Sequence, residues 1–249
     1  SVANGNGGAV AISSDLSKVN QTERSAADFT RCTFEDSGAD FYGQAAFSSV
    51  SQLRFIDSHI AHPSGARACV YLHGAHLTSW KTASGQEQIF LSKEAVFKPP
   101  KAIRGGVPIC FPQFSDFGPL KTSHGFARNT RWSIFEREGD TVVLKLTSED
   151  DNFTLSVRYT ITDFQLFTRL TVTNTGGEEM AYTTALHTYF RVEDVTKARV
   201  EGLYRVGYLD SLDGRVMKTD ENPCISISEE VDRIYLSLSL IHISEPTRR

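Results

Sequence analysis

Phe153-Thr154-Leu155-Ser156-Val157-Arg158-Tyr159-Thr160-Ile161 is the stretch that decides the fold class. Its apolar members, Phe153, Leu155, Val157, Tyr159 and Ile161, fall at every second position, with polar residues between them. Successive side chains of a strand point to opposite faces, so a period of two predicts one face in a core and one towards solvent. Asp163 follows as a turn residue, and Phe164, Leu166, Leu170 and Val172 predict a second strand, closed by Asn174-Thr175-Gly176-Gly177. Upstream, Trp132–Arg137 and Thr141–Thr147 flank Glu138-Gly139-Asp140, which reads as a hairpin turn. No window after residue 50 carries a sustained apolar stripe at helical spacing. Short strands at regular spacing therefore predict an all-β chain, a sandwich or barrel rather than a βαβ fold.

Composition narrows the function classes. The 249 residues hold 26 Lys plus Arg against 30 Asp plus Glu, a net charge of −4, and 40% are hydrophobic. That much apolar material builds a sizeable core and excludes wholesale disorder. Without a basic excess to neutralise phosphates, neither nucleic acid nor a membrane surface is the expected partner. No apolar run approaches the roughly 20 residues that span a bilayer. Cys32, Cys69, Cys110 and Cys224 form no C-x-x-C pair, which fits a reducing compartment; the cytoplasm is expected, with a plastid left open. Residues 1–40 are rich in Ser, Ala, Asn and Gly, and residues 1–50 read as a flexible leader and peripheral segment. Asp15, Glu23 and Asp28 interrupt them, and a transit peptide should be poor in acids.

Residues 98–130 break the strand pattern. Lys98-Pro99-Pro100, Arg104-Gly105-Gly106, Pro108, Phe111-Pro112-Gln113-Phe114, Phe117-Gly118-Pro119 and His124-Gly125-Phe126-Ala127-Arg128 crowd into one stretch. Proline lacks a ladder donor and glycine weakens strands, so this is a long apolar loop on a β scaffold, where sites are usually built. Arg104 and Arg128 each stand near glycine. A guanidinium fork suits carboxylate or phosphate, and glycine would let a ligand approach the backbone; the plainer alternative is pairing with surface acids. His187, in Leu186-His187-Thr188-Tyr189-Phe190, is either a satisfied core histidine or a general acid or base. His59, His62, His73 and His76 form two H-x-x-H pairs, but residues three apart on a strand face opposite ways, so no metal site is expected. Cys110 reads as a small buried hydrophobe. No nucleophile elbow, P-loop or dinucleotide fingerprint is present.

Taken together, Arg104-Gly105-Gly106-Val107-Pro108, Phe111-Pro112-Gln113-Phe114, His124-Gly125-Phe126-Ala127-Arg128-Asn129, His187-Thr188-Tyr189-Phe190-Arg191-Val192, Gly202-Leu203 and Tyr208-Leu209-Asp210 carry a resemblance. From about Ile60 to Tyr235 the chain resembles the glucose-6-phosphate 1-epimerases (hexose-6-phosphate mutarotases) of the aldose 1-epimerase superfamily. The resemblance implies a large antiparallel β-sandwich of the galactose mutarotase type, with the sugar site on a concave face. His187 would be the general acid that protonates the pyranose ring oxygen. Arg104 and Arg128 would bind substrate, with the 6-phosphate their natural target, and Asp210 would hold sugar hydroxyls. His124 would lie beside the site. Ser123 departs from the pattern, since many relatives carry Gln there, and a direct sugar contact would pass to water. No cofactor or metal is implied, and the expected partner is a small phosphosugar bound by a monomer.

The same resemblance sets expectations for the ends. The family's general base is a glutamate near the C-terminus, beyond a Trp-Asn-Pro-Trp-like segment, and nothing after Tyr235 matches either. Residues 237–249, Ser237 to Arg249, read as a non-native tail, so Glu245 is not assigned the role. The expected organisation is a leader over 1–50, an incomplete, C-terminally truncated sandwich over 51–236 and a foreign tail over 237–249. Such a chain would lack its base, be inactive and expose ladder edges that favour poor solubility. Two rival readings remain at this point, a non-catalytic phosphosugar-binding sandwich and a mutarotase for unphosphorylated aldoses. A metal-dependent sugar isomerase is more remote.

Overall fold

The computed structural model describes residues 58–236, together with the backbone of 12–13 and 26–29. The expected tail over 237–249 lies outside the described residues, as does most of the expected leader. In chain order the strands are β1 (Ile12–Ser13), β2 (Ala26–Phe29), β3 (Ser58–Ala61), β4 (Arg67–Tyr71), β5 (His76–Lys81), β6 (Ile109–Cys110), β7 (Ser133–Glu138) and β8 (Thr141–Ser148). They continue as β9 (Phe153–Ile161), β10 (Leu166–Asn174), β11 (Ala185–Leu186), β12 (Arg199–Glu201), β13 (Gly207–Asp210), β14 (Val216–Thr219), β15 (Cys224–Ser226) and β16 (Arg233–Tyr235). Every strand ladder among the described residues is antiparallel. The expected all-β, mutarotase-like sandwich is the fold observed.

β9 behaves as its alternation dictates. Phe153, Leu155, Val157, Tyr159 and Ile161 are all fully buried, and the residues between them are half-exposed. Each such apolar side chain contributes about 1.5–3 kcal/mol on leaving water, so this one strand anchors the sheet. It lies in the order β2-β10-β9-β8-β7. The β7–β8 hairpin closes on Gly139-Asp140, with Glu138 paired to Thr141 and Gly139 at φ +52°. Phe164 is a correction: it sits in the turn before β10 and is 66% exposed, so the second strand begins at Leu166. An isolated aromatic at a turn satisfied the pattern without being part of the ladder.

The β3-β4-β5 sheet covers the buried face of this large sheet. Ile60, Ala68, Val70, Leu77 and Trp80 share one core with Val142, Leu144, Leu155 and Val157. The Tyr159 hydroxyl, fully buried, donates to the Ala75 carbonyl at 2.9 Å and ties the two layers together. The irregular stretch between β5 and β7 completes the core with Val107, Ile109, Phe111, Ala127 and Trp132. Its outer edge carries the candidate site.

Candidate functional site

Backbone pairing, rather than regular strands, positions the Arg104 turn. Leu91 and Gly105 form an antiparallel bridge, as do Leu77 and Val107. Ser92 N donates to the Arg104 carbonyl at 3.1 Å, and Gly106 N to the Phe90 carbonyl at 2.8 Å. The segment after β11 lies alongside: His187 N donates to Pro108 O and Tyr189 N to Gly106 O, both at 2.9 Å. Two motifs separated by some eighty residues of sequence are thus neighbours through their main chains. The glycines here serve the protein rather than a ligand. A Cβ on Gly105 would lie 2.6 Å from the Phe90 carbonyl, and one on Gly106 2.4 Å from both His76 Nε2 and the Leu77 carbonyl.

Arg128 is set by a second group of contacts. It rides on a single 3-10 turn, Ala127–Asn129, whose amides at Phe126 and Ala127 both donate to the Phe111 carbonyl. The buried Trp132 indole donates to the Ala127 carbonyl at 2.9 Å. Gly74 packs directly on the Arg128 carbonyl, where a Cβ would approach to 2.5 Å. One guanidinium nitrogen donates to the Ser123 carbonyl at 3.0 Å, while its buried Nε has no partner among the described residues. Neither Arg104 nor Arg128 is paired with an acid among the described residues.

His124 takes a left-handed backbone, φ +66°, and its Nδ1 accepts from the Ser115 amide at 3.1 Å. Its ring meets His187 edge to face, with centroids 5.4 Å apart, and His187 in turn lies 5.1 Å from the Tyr189 ring. His187 Nδ1 is buried without a partner among the described residues. Burial, with the positive charges of Arg128 and of a protonated His187, pushes His124 down to about 4, against the pull of Asp116 and Asp232. Burial also lowers His187, and Arg128 acts in the same direction while Asp232 opposes it. Tyr189 is raised by burial and drawn back by both Arg104 and Arg128. One electrostatic neighbourhood therefore joins His124, His187, Tyr189, Arg128 and Arg104.

Asp210 is engaged elsewhere. Its carboxylate accepts from Lys218 Nζ at 2.8 Å and from the Leu212 amide at 3.1 Å, and the lysine bond holds it below the usual carboxylate range. Its link to the histidines is indirect, since Asp210 pairs with Arg233 across β13 and β16, next to Asp232. Ser123 is exposed and reaches the group through its carbonyl. Sequence reasoning missed Tyr189 and Asp232. Tyr189 stands two residues from His187, a spacing that would have marked it on an extended segment; Asp232 has no local signal.

The other sequence candidates have separate partners. His59 Nδ1 contacts Cys69 Sγ at 3.3 Å, His62 Nδ1 contacts Asp163 at 3.0 Å, and His73 Nε2 donates to the Lys101 carbonyl at 3.0 Å. His76 Nε2 donates to the Gly105 carbonyl at 2.8 Å. Among the described residues no three His, Cys, Asp or Glu side chains gather as a ligand set. Cys110 is fully buried and its thiol is pushed up to about 12 by that burial, so it packs as a small hydrophobe. No helix among the described residues is long and apolar enough to cross a membrane.

Comparison with known proteins supplies the context. The aldose 1-epimerase family profile matches residues 58–247. A Cenchrus ciliaris protein provisionally named glucose-6-phosphate 1-epimerase is 42% identical over 195 residues, 70% of this chain and 59% of the relative. A Salmonella typhimurium protein of the same provisional name is 35% identical over 204 residues, 77% of this chain and 68% of the relative. The crystal structure of a provisionally named mutarotase from Salmonella typhimurium superposes with a TM-score of 0.61 at 33% identity, covering 70% of this chain and 61% of the other. A Synechocystis structure at 21% identity shares the fold, with a TM-score of 0.67 over 78% of this chain and 74% of the other. The chain thus spans less than two thirds of the Cenchrus relative and of the Salmonella structure.

Proposed function

The chain belongs to the aldose 1-epimerase family, and on that premise we propose that it serves the interconversion of α and β anomers of a hexose 6-phosphate, glucose 6-phosphate foremost. The observation that carries this reading is the His187–His124 ring pair, centroids 5.4 Å apart, lying in the field of Arg128. His187 protonates the pyranose ring oxygen while a base takes the proton of the C1 hydroxyl, and the hemiacetal opens to the aldehyde. Rotation about C1–C2 and reclosure on the other carbonyl face give the second anomer, with the protons returned. Each positioned proton-transfer group is worth ~10²–10⁴-fold. The family resemblance gives the part of base to a glutamate, and no residue of this chain is assigned that part.

Arg104 and Arg128 hold the 6-phosphate through charge-assisted hydrogen bonds and favour phosphorylated over free hexose. The same contact bears on the acid. Burial lowers the proton affinity of His187 below that of an ordinary histidine, and Arg128 adds to that effect. A phosphate dianion beside Arg128 cancels its charge, so substrate binding raises the proton affinity of His187 when the proton is needed. Asp210, held by Lys218, holds sugar hydroxyls, His124 lies beside the site, and at Ser123 the contact to the sugar passes through water.

The test follows α-to-β exchange of glucose 6-phosphate by NMR. It uses this chain and a form completed with the part of the Cenchrus relative that the chain does not span. Binding by both and exchange by the completed form support the proposal. Binding without exchange in the completed form favours a phosphosugar-binding module, and equal use of free glucose removes the role given to the arginines.

A further inference from the structure

The Arg104-Gly105-Gly106 turn depends on a side chain outside the site. Of its three consecutive carbonyls, that of Arg104 accepts from the Ser92 amide and that of Gly106 from the Tyr189 amide. The middle carbonyl, Gly105, accepts from His76 Nε2 at 2.8 Å. A carbonyl only accepts, so Nε2 carries the proton and Nδ1, buried without a partner among the described residues, holds the lone pair. His76 itself is fully buried at the start of β5 and pairs with Tyr71 there. Both glycines have left-handed backbones, φ +103° and +68°, and Gly106 closes so tightly on the imidazole that a Cβ would lie 2.4 Å from Nε2. Directly after His76, the Leu77 carbonyl accepts from Val107 N at 2.9 Å. The turn that carries Arg104 is thus clasped from below by two successive residues of β5, one through its side chain and one through its main chain.

We propose that His76 is a positioning residue for the phosphate anchor: its imidazole fixes the Gly105 carbonyl and thereby the direction in which the turn presents Arg104. This inference rests on the reading of Arg104 as a phosphate contact. It makes His76 neither a catalytic residue nor a metal ligand. Burial pushes the imidazole down to about 4, so it remains a neutral donor through the physiological range.

The experiment measures glucose 6-phosphate affinity of the full chain by isothermal titration for wild type, His76→Leu, His76→Gln and Arg104→Ala, with thermal midpoints recorded alongside. His76→Leu keeps much of the volume but cannot donate, and should weaken binding roughly tenfold by leaving the Gly105 carbonyl without its partner. His76→Gln retains a donor amide and should recover most of that loss; rescue separates positioning from mere packing. Wild-type affinity in a folded His76→Leu, or no rescue in a folded His76→Gln, overturns the proposal. Unchanged affinity in Arg104→Ala would instead overturn the reading of Arg104. A measurement on wild type alone guards against variants that fail to fold. Glucose 6-phosphate, but not glucose, should shift the Gly105 and Gly106 amide signals and the His76 imidazole nitrogens in NMR. Unmoved signals at saturation contradict the proposal.

Discussion

β9 and the Arg104 turn solve the same problem, satisfying a buried backbone, by opposite means. In β9 every residue has a ladder partner, Leu155 facing Leu146 and Val172 and Val157 facing Leu144 and Leu170. Burial then alternates with the sequence. In the Arg104 turn, pairing comes from isolated bridges, three separate segments and one imidazole. Regular pairing leaves side chains with nothing to do but pack. Irregular pairing frees charged and titratable side chains to face a common space, at the expense of fixed glycines and buried polar links.

Substitutions can break that contrast. Leu155→Ala should be the costliest, about 2–5 kcal/mol in urea unfolding, because it opens a cavity under a rigid sheet. A loss below 1 kcal/mol would show that the sheet is not the structural anchor. Gly106→Ala should cost about 2–4 kcal/mol, from a left-handed backbone and a clash with His76 and Leu77. Gly139→Ala, at a turn where an added Cβ meets open space, should cost about 1 kcal/mol from the backbone alone. Equal losses at the two glycines would dissolve the distinction between a clasped turn and a free one.

Acid should act on the irregular region before the sheet. His76 and His124 are both held at about 4, below the ordinary histidine value. Between about 6.5 and 4 the unfolded chain takes up protons that the folded chain refuses, so stability is complete above that window and falls as pH drops through it. The urea midpoint should decline over this range and decline less in His76→Gln; a parallel decline in both contradicts the assignment. The smallest effect belongs to the solvent-facing pair of Arg158 and Glu136, 2.9 Å apart and each about two-fifths exposed. Glu136→Gln should change stability by less than about 1 kcal/mol, and added salt should shrink even that.

The contrast also explains what the sequence could tell. β9 was legible because its burial follows a period of two, and the β7–β8 hairpin because Gly139-Asp140 is a local turn. Phe164 misled because an apolar residue at the right distance does not guarantee a ladder partner. Arg104, Arg128 and His187 stood out by residue type and motif, but their proximity rests on pairings between distant segments. Asp210 was legible as an acid in a motif, whereas its engagement by Lys218 depends on the β13–β14 register. His76 looked like half of a ligand pair, and only the left-handed turn above it explains why an imidazole lies there.

The central claim is that His187 delivers the ring-oxygen proton in a hexose 6-phosphate site, and exchange NMR tests it most directly. Glucose 6-phosphate anomer exchange is measured for the form completed from the Cenchrus relative, with His187 intact and as His187→Asn. Exchange should run well above the buffer rate and fall by at least ~10²-fold in the variant while phosphosugar binding persists. Full exchange in a folded, binding-competent His187→Asn protein would contradict it.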